Sequence, residues 1–119
     1  MSNLRNNVRL MGHLGQDPEI RTTPSGKKVA NFSLATNEIH LDANGQKVNE
    51  TMWHNLVAWG KLADLSEKYL GKGKEICVEG KIANKNYIDK NGQKKYMTEI
   101  VLSEILIIGN KTKKNGGSE

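Results

Sequence analysis

The sequence predicts an all-β domain with one short helix, folded as a small five-stranded barrel. Three observations lead to this prediction. Apolar and polar side chains alternate with a period of two along several separate stretches of the chain. Turn residues separate these stretches, most clearly at Pro24, Asn44-Gly45 and Asn91-Gly92. One segment, between the third and fourth stretches, changes to the helical period.

Composition limits the classes of protein that fit. The chain has 119 residues, enough for one domain and a short tail, and its 18 Lys and Arg exceed its 13 Asp and Glu by +5. This charge favours a polyanionic partner, although many proteins that bind no nucleic acid are equally basic. Cys77 is the only cysteine, which excludes an internal disulfide. The sequence shows no signal peptide and no membrane span, so we expect a cytoplasmic protein.

The first two long strands are predicted to share an apolar inner face. Residues 8–14 form the first strand and residues 28–39 the second, and a short extended segment, 19–23, leads from one to the turn at Pro24. Every second side chain in both strands is apolar or small, which is typical of a strand with one buried face. The predicted inner residues are Val8, Leu10, Gly12, Leu14, Ala30, Phe32, Leu34 and Thr36.

The third strand contains both tryptophans of a chain that is only 5% aromatic. Alternation places Trp53 and Trp59 on one face, with Asn55 and Val57 between them, and the other face carries Met52, His54, Leu56 and Ala58. A packed core explains one indole readily, whereas two indoles opposite an apolar row favour an exposed stacking surface; a core position for both stays the alternative. The preceding residues, 41–47, are predicted as a long loop.

The second half of the chain is predicted as helix, strand, hairpin turn and strand. Residues 61–70 have helical spacing, and Tyr69 is expected to pack on the barrel; the Gly-Lys-Gly-Lys run that follows is a helix end without the spacing of a phosphate loop. Strands at 75–87 and 94–108 flank a turn at 89–93. Their predicted inner residues are Ile76, Val78, Gly80, Ile82, Thr98, Ile100 and Leu102.

Five strands with one helix between the third and the fourth follow the order of an OB-fold Greek-key barrel. We predict this domain over residues 1–109 and a flexible polar tail over 110–119. The chain has no paired carboxylates in a glycine-rich setting and no Ser-His-Asp order, so we predict neither an enzyme nor a cofactor. The three histidines are too scattered for a metal site, and Cys77 is interpreted as a packing residue.

Four separated motifs closely resemble the bacterial and mitochondrial single-stranded-DNA-binding proteins. The resemblance runs in family order across residues 5 to about 109. It implies an OB-fold, usually a homotetramer, that coats single-stranded DNA without sequence preference during replication, recombination and repair, and is associated with the nucleoid. The motifs are Gly12 to Arg21, Val29 to Thr36, Trp53 to Ala63, and Tyr69-Leu70 with Gly73.

The resemblance also implies roles for individual residues. Trp53, Trp59 and Tyr87 stand at base-stacking positions of the family, and His40 stands where some relatives carry an aromatic stacking residue. His54 matches a histidine at the subunit contact. Basic residues of the family face phosphates at Lys61, Lys72 and Lys85. The predicted nucleic-acid-binding set is Trp53, Trp59, Tyr87, Asn55, Lys61, Lys72, Lys85, Lys95, Arg5 and His40, with His54 at the oligomer interface.

The chemistry of these side chains favours general binding. Every base has a π-face, so aromatic platforms bind single strands of any sequence, and the chain has only three arginines for reading base edges. The alternatives are that Tyr87 packs on its hairpin, that Lys85, Lys94 and Lys95 are solvated edge charges, and that His54 is a hydrogen-bonded buried histidine. An OB-fold that binds structured RNA and one that bridges proteins are the rival functions.

The end of the chain departs from the family pattern. Relatives commonly close with an acidic tip that recruits replication and repair enzymes, whereas the last residues here, 111–119, are net basic. We therefore expect weak or no recruitment of such enzymes through a tail tip.

Overall fold

The computed structural model describes residues 4–109. One helix lies between the third and fourth long strands, and the predicted all-β class is confirmed. The predicted tail, 110–119, lies outside the described residues. The elements are β1 (Val8–Leu14), β2 (Glu19–Thr22), β3 (Lys28–Leu41), β4 (Lys47–Trp59), α1 (Lys61–Tyr69), β5 (Glu75–Ile88) and β6 (Lys94–Ile107).

Five of the strands close a barrel. The sheet has the order β1-β5-β6-β4-β3-β2, and β1 also pairs with β3 at His13 and Leu14, which closes the ring. Neighbouring strands are antiparallel, except that β4 and β6 run parallel at Leu56 and Ile100. The short segment predicted at 19–23 is a strand, β2, that pairs with β3 outside the barrel.

Two glycines allow strands to approach closely within the barrel. A Cβ atom on Gly12 would overlap the carbonyl oxygen of Ala35, and one on Gly80 would overlap that of Val101. The strand residues of the core around them are all predicted inner residues, and Ala63 of α1 and the following Leu70 join them, whereas the predicted inner residues Val8 and Leu10 are only partly buried. Burying each large aliphatic side chain contributes about 1.5–3 kcal/mol. The core residues are Leu14, Ala30, Phe32, Leu34, Leu56, Ala58, Ala63, Leu70, Ile76, Val78, Ile100 and Leu102.

Two hairpin arms extend beyond the barrel. Strands β3 and β4 stay paired out to Leu41 and Lys47, and β5 and β6 out to Ile88 and Lys94. The inner-face prediction is therefore wrong for the arm residues Met52, Ile82 and Thr98, which are exposed because an arm has no core to cover them.

The connection predicted at 41–47 lies there, at residues 42–46 between β3 and β4, but it is not a long loop. The connection is a tight turn, in which the Asp42 carboxylate accepts hydrogen bonds from the backbone N–H groups of Asn44 and Gln46, at 2.8 and 2.9 Å. Asp89 closes the other arm in the same way, since its carboxylate accepts from the N–H groups of Asn91 and Gln93, both at 2.9 Å. Because each aspartate side chain accepts hydrogen bonds from the backbone two and four residues ahead, the turn closes within a few residues and needs no longer loop.

Helix α1 covers one end of the barrel. Its buried face includes Ala63 and Ser66, whose hydroxyl donates to the carbonyl of Leu62 at 2.8 Å. Packing of Tyr69 was expected but is wrong, because its side chain is exposed and the next residue, Leu70, is buried in its place. No helix of the described part of the chain has the length and apolar character to cross a membrane.

Candidate nucleic-acid interface

The outer face of β3 and β4 carries both tryptophans. The side chains of Trp53 and Trp59 are 59% and 43% exposed, whereas Leu56 and Ala58 on the opposite face are buried. Strand parity therefore separates the faces as predicted, and neither indole belongs to the barrel core. Val57 is buried on the outer face, between its pairing partners Asn31 on β3 and Val101 on β6.

Trp53 has a defined neighbour. Its six-membered ring lies so close to Gly15 that a Cβ atom there would overlap it. Gly15 is held in place by its N–H, which donates to the carbonyl of Ser33 at 3.1 Å. The ring lies against the backbone at Gly15 while more than half of the side chain stays exposed, which suits a platform for a flat ligand.

A cavity of about 340 Å³ adjoins Trp59. Arg21 on β2 and Lys85 on β5 line it with the indole, and within residues 4–109 neither cation has a hydrogen bond or an ion pair from its side chain. A second cavity of about 130 Å³ adjoins Asn55 and Met97. The two cavities share three lining residues, Asn31, Val57 and Glu99.

The structure brings only part of the predicted site together. Trp59 and Lys85 line the larger cavity and Asn55 lines the smaller one. Lys61, at the start of α1, and Arg5 are exposed and line neither cavity. Lys72 lies in the loop after α1 and lines a separate cavity of about 390 Å³ with Tyr69.

The remaining predicted contacts lie on the arms. Tyr87 is 47% exposed and pairs across its arm with Lys95, whose ammonium is 3.9 Å from the carboxylate of Asp89. His40 lies near the tip of the other arm, with its Nε2 3.2 Å from the carboxylate of Glu50. These side chains are accessible to a nucleic-acid strand that passes over the arms.

His54 lies at the junction between the barrel and its arm. It is half-buried, and its Nε2 is 2.9 Å from the hydroxyl of Thr36. Burial lowers the pKa of this imidazole below its ordinary value, so the neutral ring is favoured near pH 7. The hydrogen bond fits the interpretation of His54 as a satisfied histidine, and its subunit contact stays a prediction.

Sequence reasoning did not single out Arg21, Asn31 and Glu99 as site residues. A partial signal was present, because alternation places Asn31 opposite the buried Ala30 and Phe32. Arg21 and Glu99 reach the groove through pairing of β2 with β3 and of β4 with β6, which no local pattern predicts. Within residues 4–109 no group of three potential ligands could hold a metal ion.

Comparison with known proteins agrees with this geometry. The model of the single-strand binding protein family matches residues 5–108. The single-stranded DNA-binding protein 1 of Chlorobaculum tepidum is 47% identical over 96% of this chain and 71% of its own length. The single-stranded DNA-binding protein of Neisseria meningitidis serogroup A is 42% identical over 95% of this chain, which spans 65% of that relative.

A solved structure supports the same assignment. The Plasmodium falciparum SSB in complex with ssDNA superposes with a TM-score of 0.82 and 36% identity, over 87% of this chain and 95% of that one. This chain belongs to the single-strand binding protein family, whose members are non-enzymatic DNA-binding proteins.

Proposed function

We propose that this protein binds and coats single-stranded DNA without sequence preference, in replication, recombination and repair, in the cytoplasm at the nucleoid. The observation that carries the proposal is the outer face of β3 and β4, where two indoles are exposed and one of them, Trp59, adjoins a cavity lined by Arg21 and Lys85. The names of the relatives and the bound strand in the Plasmodium complex support it.

Stacking and charge supply the binding free energy. Trp53 and Trp59 stack on bases, and Tyr87 and His40 extend the platform along the two arms; each stacked base contributes about 1–3 kcal/mol. Asn55 contacts the strand between the indoles. Cations neutralise phosphates and release counterions, so affinity falls as salt rises. The cations proposed for this role are Lys61, Lys72, Lys85, Lys95 and Arg5.

We propose that the functional form is a homotetramer. In the described part of the chain, the edge of β1 from Val8 to Met11 pairs with β5 on one side only, because β3 meets β1 at His13 and Leu14. An open strand edge with an exposed Met11, 58% accessible, favours pairing with a second copy of the chain. His54 is proposed to lie at a subunit contact. Light scattering measures the assembly directly.

Titration of tryptophan fluorescence with poly-dT and with duplex DNA, over a range of salt, tests the binding proposal. We expect deep quenching by the single strand alone, weakening with salt. Equal quenching by duplex, or none, would exclude the stacking model. Preference for a folded RNA over poly-dT would favour the RNA-binding rival. Unchanged DNA binding after removal of both indoles, with partner binding intact, would favour the bridging rival.

A further inference from the structure

The β1–β2 loop, residues 15–18, forms a rim of the proposed DNA groove. Gly15 lies against the ring of Trp53, and Gln16 lines the cavity of about 130 Å³ that also adjoins Asn55. The side chain of Gln16 is exposed, and in the described part of the chain it makes no hydrogen bond. A strand in this part of the groove therefore meets an amide that can both donate and accept hydrogen bonds.

Hydrogen bonds hold this loop at its two ends and at one point between them. The N–H of Gly15 donates to a carbonyl of β3, and Glu19, the first residue of β2, pairs with β3. Between these ends the loop makes a single hydrogen bond to other residues of the 4–109 range. The carboxylate of Asp17 accepts it from the backbone N–H of Lys72, at 2.8 Å. The middle of the loop therefore depends on Asp17 for its position.

The segment to which Asp17 is bonded is itself fixed on both sides of Lys72. Leu70, before it, is buried beneath the end of α1, and Gly73, after it, donates from its N–H to the carbonyl of Leu14 at 2.8 Å. The ammonium of Lys72 lies at the end of a flexible stem, so a bond to its backbone does little to place its charge. Asp17 therefore holds the β1–β2 loop to a fixed segment and does not position the lysine.

We propose that Asp17 is a positioning residue of the DNA groove, whose carboxylate holds the β1–β2 loop so that the amide of Gln16 contacts the bound strand. A loop that is ordered before binding loses less conformational entropy when the ligand binds. The amide of Gln16 can bond to the edge of any base or donate to a phosphate, so this contact keeps the binding general. The inference rests on the proposed binding of single-stranded DNA and adds to it one contact residue and the side chain that places it.

Charge and positioning predict opposite effects of substitutions at residue 17. Asp17 is exposed, and a negative charge beside the groove opposes a polyanion, so loss of the charge alone strengthens DNA binding. Asp17→Asn removes the charge but keeps an oxygen that can accept from the N–H of Lys72, whereas Asp17→Ala removes both. Because the two variants have the same net charge, the difference between their affinities measures the positioning.

Dissociation constants for poly-dT, measured at one salt concentration, test the proposal. We expect Asp17→Asn to bind at least as tightly as the native protein, and Asp17→Ala to bind about fivefold more weakly than Asp17→Asn. In a Gln16→Ala background the same two substitutions are expected to agree within about twofold, because the residue that the loop positions is gone. Urea midpoints of unfolding check that each variant is folded at the temperature of the titration.

Gln16→Ala on its own gives a test that needs no change at residue 17. This exposed substitution is expected to weaken poly-dT binding about fivefold, and an affinity equal to that of the native protein would overturn the proposal. Equal affinities of Asp17→Ala and Asp17→Asn would overturn it as well. So would a fivefold difference that persists in the Gln16→Ala background, since Asp17 would then act without Gln16. Failure of the proposed function is a separate result, in which the native protein does not bind poly-dT.

Discussion

The indole of Trp53 rests on the backbone of Gly15, and a methyl group at residue 15 would overlap the ring. Gly15→Ala therefore has to displace the ring. We expect the affinity for poly-dT to fall about fivefold, since one stacking platform is misplaced, with the barrel intact. Fluorescence titration measures the loss. Gly71→Ala is the matched control, because its Cβ would stand 3.5 Å from the nearest heavy atom, a carboxylate oxygen of Asp17. A poly-dT affinity equal to that of the native protein would contradict the support role of Gly15.

Removal of an indole should weaken binding without unfolding the protein. Trp53→Ala and Trp59→Ala are each expected to cost about 1–3 kcal/mol of the free energy of binding to poly-dT. Both rings are exposed, so the urea midpoint of unfolding is expected to change little. Met52→Ala is the control, because Met52 is the neighbour of Trp53, is also 59% exposed and points to the opposite face. Equal loss in the Met52 variant would show that the outer face is not the binding face.

The faces of β4 were predictable because a period of two is independent of the rest of the fold. Parity separated Trp53 from Leu56 before any tertiary contact was known. The same period continues into the arms, so it could not show that Met52 lies beyond the core. Helical spacing had a similar limit at Tyr69, because it defines a stripe but not which members of the stripe the barrel covers. Glu99 lies in the groove because β6, the last strand in the sequence, pairs in parallel with β4.

Glu79 should make the free energy of unfolding depend on pH below 4.5, which is the ordinary pKa of a glutamate carboxyl. A hydrogen bond from Asn7, at 2.8 Å, and the charge of Arg9 lower the pKa of this carboxyl. A lowered pKa stabilises the folded state above 4.5, and this contribution is lost as pH falls through the folded value. We expect native protein and Glu79→Gln to differ in free energy of unfolding by a constant amount above pH 5, and to converge below pH 4.5.

Urea unfolding between about pH 3 and 7 measures that convergence. Glu38→Gln is the control, because Glu38 is an exposed carboxylate of β3 whose side chain has no hydrogen bond or ion pair within residues 4–109. A difference between native protein and Glu79→Gln that grows as the pH falls would contradict the assignment.

Gly12→Ala should destabilise the barrel. The added methyl would overlap the backbone carbonyl oxygen of Ala35, which no side-chain rotation relieves. Separating β1 from β3 at this point is expected to cost about 1–3 kcal/mol in the free energy of unfolding. Urea unfolding checks the value, with Gly71→Ala as the tolerated glycine substitution. Equal midpoints for the two variants would show that β1 and β3 do not need this close approach.

We expect Lys85→Gln to change the salt dependence of DNA binding more than it changes the stacking of bases on the indoles. Lys85 lines the cavity next to Trp59, and within residues 4–109 its ammonium has no carboxylate partner, so a phosphate is its natural counterion. Loss of one phosphate contact lowers the slope of log affinity against log salt by about 0.7. The maximal tryptophan quenching is expected to stay the same, because both indoles remain. Lys90→Gln, an exposed lysine in the β5–β6 turn, is the control. An unchanged slope for Lys85→Gln would mean that the strand passes Trp59 on the side away from this lysine.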